Sequence, residues 1–198
     1  MKAITKFSQL DLNKRYSYAD YLTWQFQERV ELIKGWVHKM SPAPNVTHQK
    51  VSWNITSRFA PYFKNEPCKI FYAPFDVRLP DSKKTRADEL VYSVVQPDIC
   101  VICDEKKLDE QGCIGAPDWI IEILSPGNSR REMQTKFELY EENGVLDYWV
   151  VNPLDESIMV FILAGKKYQY QKTYFSGDKI TSRLFKCLVM DVTAVFKK

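Results

Sequence analysis

Apolar positions along the chain follow two periods, and the changes between them mark out strands and helices. Val30 to Ile33 and Trp36 to Met40 are short apolar runs on either side of Lys34-Gly35, a turn signal that predicts an antiparallel hairpin. Upstream, Ser17-Tyr-Ala-Asp20 has the form of a capping box and predicts a short helix to about Phe26. Ser41-Pro-Ala-Pro44 breaks the pattern. Asn45 or Thr47 then stands where a helix cap belongs, and Val51, Ile55, Phe59 and Tyr62 form one stripe that predicts a helix ending near Pro67. Ile70 to Leu79 reads as one or two strands, with Phe71, Ala73, Phe75 and Val77 alternating against polar neighbours, and the polar loop Asp81 to Glu89 follows.

The second half is more apolar. Ile99 to Cys103 and Trp119 to Leu124 are unbroken, β-branched runs, the pattern of strands buried on both faces. Ser125-Pro-Gly-Asn-Ser129 is turn chemistry with a helix cap at its end. Arg130 to Glu142 then places Met133, Phe137 and Tyr140 at spacings of three and four. Asp147 to Asn152 is another buried strand, Ile158 to Ala164 and Lys167 to Tyr174 form a hairpin across Gly165, and Val189 to Phe196 is a short terminal helix. The expectation is a single α/β domain over 1–198, with a mixed central sheet flanked by helices. Its core covers about 28–153, and a hairpin and short helix occupy 154–198.

Charged residues that interrupt this pattern carry the chemistry. Pro97 cannot donate a ladder hydrogen bond and is tolerated at the first residue of a strand, which puts Asp98 at a strand mouth. Glu122 interrupts a buried run, where an ionised carboxylate costs several kcal/mol unless a cation or hydrogen bonds compensate. A Mg²⁺ or Mn²⁺ ion held by Asp98, Glu122 and the Ile123 carbonyl supplies that compensation and leaves positions for water and phosphate. The amine such a site needs is missing from position 124, which is Leu124. Lys136, on one helix face with Glu132 and Tyr140, is the candidate replacement, since a helix leaving the Glu122 strand can aim it back. The competing reading of Lys136 is a surface ion pair with Glu132, worth a few tenths of a kcal/mol.

These residues resemble the Uma-two family of putative restriction endonucleases, within the PD-(D/E)XK nuclease superfamily. Arg29-Val-Glu-Leu-Ile-Lys-Gly-Trp36 resembles the family's N-terminal signature, and His48 resembles a histidine on its first core helix. Gln96-Pro-Asp-Ile99 is similar to its Pro-Asp strand. From Trp119 to Pro153 the order Glu-Ile-Leu-Ser-Pro, Lys136, Tyr140, Gly144-Val145 and Asp147-Tyr-Trp-Val-Val resembles the family's, including the lysine displaced onto the helix. The resemblance implies a restriction-endonuclease-like fold and cleavage of DNA. It also implies Asp98 and Glu122 as metal ligands, Lys136 as the amine and Glu31 as an additional acid. Glu132 stands where the family carries Asp.

Composition permits this chemistry without selecting it. A chain of 198 residues has room for one sizeable core. Net charge is only +3, so DNA is permitted rather than indicated. Lys83-Lys84-Thr-Arg86 and Arg130-Arg131 are candidate phosphate contacts, each with solvated surface charge as the competing reading. No apolar run reaches the roughly 20 residues of a membrane span, and the N-terminus lacks a signal-peptide core, so the expected location is cytoplasmic. Five cysteines fit a reducing compartment better than a disulfide framework. Zinc at Cys100, Cys103 and Cys113 is disfavoured because residues three apart on a strand point to opposite faces. Tyr148, Trp149, Tyr168, Tyr170 and Tyr174 suit core packing better than base stacking. Cleavage of both strands would suit a homodimer. The alternative function is an inactive nucleic-acid- or partner-binding module on the same fold.

Overall fold

The computed structural model describes residues 3–40, 45–81, 87–126 and 130–197. In chain order the elements begin with α1 (Tyr18–Tyr21), β1 (Val30–Ile33), β2 (Trp36–Lys39), α2 (Val46–Phe63), β3 (Lys69–Tyr72) and β4 (Val77–Leu79). There follow β5 (Ser93–Val95), β6 (Ile99–Ile102), β7 (Leu108–Asp109), β8 (Gly112–Ile114), β9 (Trp119–Ile123) and α3 (Arg130–Asn143). The chain continues through β10 (Asp147–Asn152), β11 (Ser157–Ala164), β12 (Lys167–Phe175), β13 (Lys179–Thr181), β14 (Val189–Asp191) and α4 (Val192–Phe196). The expected turn at 41–44, the basic loop at 82–86 and the cap at 127–129 lie outside the described residues.

The central sheet has the order β12-β11-β10-β9-β6-β3 and is mixed, because β9 and β10 run parallel while their neighbours are antiparallel. Parallel neighbours need a crossover, and α3 supplies it. Strand parity sorts the buried residues. Ile99, Val101, Ile121 and Trp149 meet Val51, Ile55 and Phe59 of α2, with Val192 and Val195 of α4 joining that layer. Cys100, Ile102, Ile120 and Val150 point the other way, onto Leu139 and Tyr140 of α3. Opposed faces also separate Cys100 from Cys103, as strand geometry requires.

The expected flanking helices are present, but a second sheet shares the α3 side. Its order is β2-β1-β5-β4-β8-β7, and Ile33, Val77, Leu79 and Val95 pack into the same core as α3. The N-terminal aromatics cover its outer face, where Tyr16 and Tyr18 pack with Leu32 and Val94. Arg78 in β4 is only 2 % exposed. Its guanidinium pairs with Asp109 and lies 5.2 Å from the Tyr18 ring centroid.

Several boundaries move for identifiable reasons. The Ser17 capping box forms, yet α1 ends at Tyr21 rather than near Phe26, because Trp24 is drawn into a bridge with Ile4 and packs on Tyr16, Tyr21 and Phe26. Asn45 caps α2 by accepting from the His48 N–H, and the helix ends at Phe63, short of Pro67. The 70–79 stretch divides between the two sheets, broken at Ala73-Pro74, which is cis. The terminal segment is a strand before it is a helix: β14 pairs with β13, and Asp191 caps α4. The β11–β12 hairpin is no appendage but the outer part of the central sheet. Tyr148 and Trp149 are buried, and Tyr168 packs on Phe137 and Phe161, so this aromatic group belongs largely to the core. Cys68 and Cys103 form a disulfide, contrary to the expectation of unpaired thiols, while Cys100 and Cys113 are buried and free. Among the described residues no helix is long and apolar enough to cross a membrane.

Asp147, at the start of β10, is completely buried. Its Oδ1 accepts from Trp149 Nε1 at 2.7 Å, its Oδ2 has no partner among the described residues, and burial pushes the carboxyl up to about 7. A folded-state value above the unfolded one means that the native state binds the proton more tightly. The associated stability is complete at low pH and is lost as pH rises toward 7. Urea unfolding followed from about pH 4 to about pH 7 should therefore show a decline that Asp147→Asn makes shallower. An unchanged slope in the variant would rule out this assignment.

Candidate active site

The side chains singled out from the sequence converge at one end of β9. Glu31 shares the inward face of β1 with Ile33, two residues away, and so points toward the central sheet. The Lys34-Gly35 turn, with both residues at positive φ, sets that register and pairs Glu31 with His38. Asp98 immediately precedes β6. Glu122 lies on the α3 side of β9, and the crossover carries Lys136 and Tyr140 back over it. Glu31, His48, Ser52, Asp98, Glu122 and Lys136 line one cavity of about 260 Å³.

Lys136 is at the centre of this group. Its Nζ lies 3.0 Å from Glu31 Oε1 and 3.1 Å from Glu122 Oε1. All three are buried, at 8 %, 4 % and 9 % exposure. Burial alone would lower the lysine, but the Glu122 and Glu31 carboxylates outweigh it, so the ammonium is held charged above its ordinary range. Lys136 thus turns inward, and its ion pairs are with Glu31 and Glu122 rather than along the helix surface with Glu132.

The carboxylates are held by different partners. Glu31 Oε1 also accepts from the Gln96 N–H at 2.9 Å. Glu122 Oε1 accepts from the Tyr140 hydroxyl at 2.6 Å, and no hydrogen bond reaches its Oε2 among the described residues. Burial pushes Glu122 up to about 7, with Lys136 opposing and the Asp98 and Glu31 charges adding to the rise. Burial also raises Tyr140, which therefore stays a donor. Asp98 Oδ2 accepts from the Ile123 N–H at 2.7 Å and Oδ1 from His48 Nε2 at 3.1 Å. Burial would lower His48, but the hydrogen bond and charge of Asp98 raise it on balance.

His48 and Tyr140 therefore join the group directly. Glu132 lines the cavity wall, while Arg130 and Arg131 are exposed on the first turn of α3. Arg131 borders an adjoining depression with His38 and Glu31. His38 and Gln96 were not picked out from the sequence. The signal for His38 was its place opposite Glu31 in the hairpin, whereas the Gln96 contribution is a main-chain N–H that no side-chain pattern reveals.

Three carboxylates crowd around one ammonium and one imidazole, an arrangement that attracts a cation. Among the described residues no group of three or more His, Cys, Asp or Glu side chains is set to hold a metal ion. Mg²⁺, however, is commonly held by one or two carboxylates and keeps most of its waters. Asp98 and the uncommitted Oε2 of Glu122 fit that requirement, with the Ile123 main chain beside them.

The chain is similar to known proteins in family and in fold. A family model, Uma-two (Uma2), described as putative restriction endonuclease, matches residues 18–193. Uncharacterized protein slr1290 of Synechocystis sp. is 23 % identical over 145 residues, 72 % of this chain and 71 % of that protein. A crystal structure described as a putative nuclease belonging to DUF820, from Anabaena variabilis, superposes with a TM-score of 0.68 at 20 % identity, covering 91 % of this chain and 97 % of that one. That likeness establishes a shared fold.

The burial of Lys136 gives a test that needs no substrate. Removing one member of a buried ion pair costs about 3–5 kcal/mol, because the remaining charges stay buried and unpaired. Lys136→Met should lower the urea unfolding free energy by that amount at neutral pH. The loss should shrink as pH falls and the stranded acids take up protons, and adding Glu122→Gln should recover part of it. A loss below about 1 kcal/mol, the surface-pair value, would contradict this arrangement.

Proposed function

The chain belongs to the Uma-two family of putative restriction endonucleases, and from that premise we propose that it hydrolyses DNA phosphodiester bonds in the Asp98–Glu122–Lys136 cavity with Mg²⁺ or Mn²⁺. The observation that carries the reading is the Lys136 ammonium seated between Glu31 and Glu122, with Asp98 at the same strand end. The lysine absent at position 124 is thereby replaced from another backbone element.

Asp98, Glu122 and the Ile123 carbonyl are the residues that would hold the ion. Its contribution when bound is Lewis-acid polarisation of the phosphate and activation of water. The remaining work belongs to the chain. Lys136, permanently charged, faces phosphate oxygens on which negative charge develops, and fixed charge of this kind often makes the largest contribution to rate. Glu31 aims that amine, Tyr140 fixes the Glu122 carboxylate through Oε1, and His48 does the same for Asp98. Arg130 and Arg131 lie where α3 begins and would meet the phosphate backbone. Action on both strands by a two-fold pair of cytoplasmic copies completes the proposal.

Plasmid and single-stranded DNA incubated with Mg²⁺ or Mn²⁺ should be cleaved by the native protein. Asp98→Asn, Glu122→Gln and Lys136→Met should each lose about a hundredfold or more. Calorimetric Mg²⁺ binding should weaken in Asp98→Asn. Equal cleavage by all four proteins would trace the activity to a contaminant. DNA binding without metal binding would favour the inactive module.

A further inference from the structure

Beyond His48, Ser52 and Tyr72, which face the acidic cavity, the strip formed by α2 and β3 has no role in the site described above. β3 is an edge of the central sheet, and a groove between it and α2 is lined by Trp53, Ala60, Lys64, Lys69, Ile70 and Phe71. The groove lies beside the cavity on the same two segments. Ser52 and Tyr72 line the cavity, and Trp53 and Phe71, their chain neighbours on the same two segments, line the groove. Trp53 is 68 % exposed and Tyr72 64 %, high for large aromatics.

Two lysines, Lys64 and Lys69, line this groove and no acid does among the described residues, whereas Lys50 lines a separate depression with Pro153 and Phe196. Helix α2 contains no acid. Arg58 and Lys69 donate to the main-chain oxygens of Asn54 and Glu66, so those bonds leave their charge unneutralised.

We infer that this groove holds a single strand of DNA as it leaves the carboxylates, with bases on Trp53 and Tyr72 and phosphates toward Lys64 and Lys69. The inference rests on the nuclease reading for its direction along the groove. An apolar floor with a projecting indole suits an unpaired base, because every base has a stacking face while duplex bases are already stacked. Lysines along the walls match the backbone. A second copy pairing through β3 is the rival occupant. Lysine on an edge strand opposes such pairing.

The test is fluorescence anisotropy with full-length protein in EDTA, using a labelled oligothymidylate and a duplex of equal length. The single strand should bind more tightly, and Trp53→Ala should weaken it about fivefold or more, the low end of a lost base stack. Lys64→Ala with Lys69→Ala should reduce the slope of log affinity against log salt by about 1.4, the single-strand value for two phosphates. Circular dichroism checks that the variants fold. Equal affinity for duplex, or an unchanged Trp53→Ala, overturns the assignment, as does a sedimenting dimer that Trp53→Asp dissociates. Binding lost in Trp53→Ala, without cleavage by the native protein in Mg²⁺, supports the groove and defeats the nuclease reading. Cleavage that is indifferent to Trp53 does the reverse.

Discussion

One buried ammonium ties the molecule together. Lys136 reaches from α3 to Glu122 on the central sheet and to Glu31 on the second sheet, so a single charge links three elements. Desolvating three ionic groups costs several kcal/mol each, and the cost is offset only when geometry is close and the remaining hydrogen-bonding capacity is used. The Tyr140 hydroxyl and the Gln96 N–H supply those additional bonds. The second sheet is thus seated on α3 by polar contacts at the site as well as by Ile33, Val77 and Val95 in the core.

The same constraint divides the site's oxygens into committed and uncommitted ones. Glu122 Oε1 is committed to Lys136 and Tyr140, and both Asp98 oxygens are oriented by neighbours, while Glu122 Oε2 is left without a hydrogen bond among the described residues. Oxygen donors at adjoining strand ends, a charged amine and a neighbouring groove walled by Lys64 and Lys69 form a coherent set for a polyanion. Each of these features alone has an ordinary structural explanation, and their shared position gives the set its meaning.

Much of this was legible in the residue pattern because it was local. The unbroken runs of β6 and β9, the turn at Lys34-Gly35, the stripe on α2 and the acids interrupting buried strands all have short-range signatures. The second sheet was not legible, since β5, β7 and β8 have two or three residues each and no period can be read from them. Glu31 came only from family resemblance, because its partner stands on a distant helix. The Cys68–Cys103 pairing and the burial of Arg78 depend on how separate strands meet, which spacing along the chain does not record. The aromatic cluster around Trp24 overrode the propensity that would have lengthened α1.

Placing the amine on a helix rather than on the acid's own strand transfers control of the acid–amine geometry to hydrophobic packing. Along a strand, the pleat would dictate the gap between acid and amine. Here that gap follows from how α3 beds on the sheet, where Phe137 nests among Tyr148, Phe161 and Tyr168. A change of volume in that nest moves the helix as a lever and shifts a charged group without altering any polar atom. The oily side of α3 is in this sense an adjusting screw for the site, through which selection or design can set where that charge sits from a region remote from the cavity.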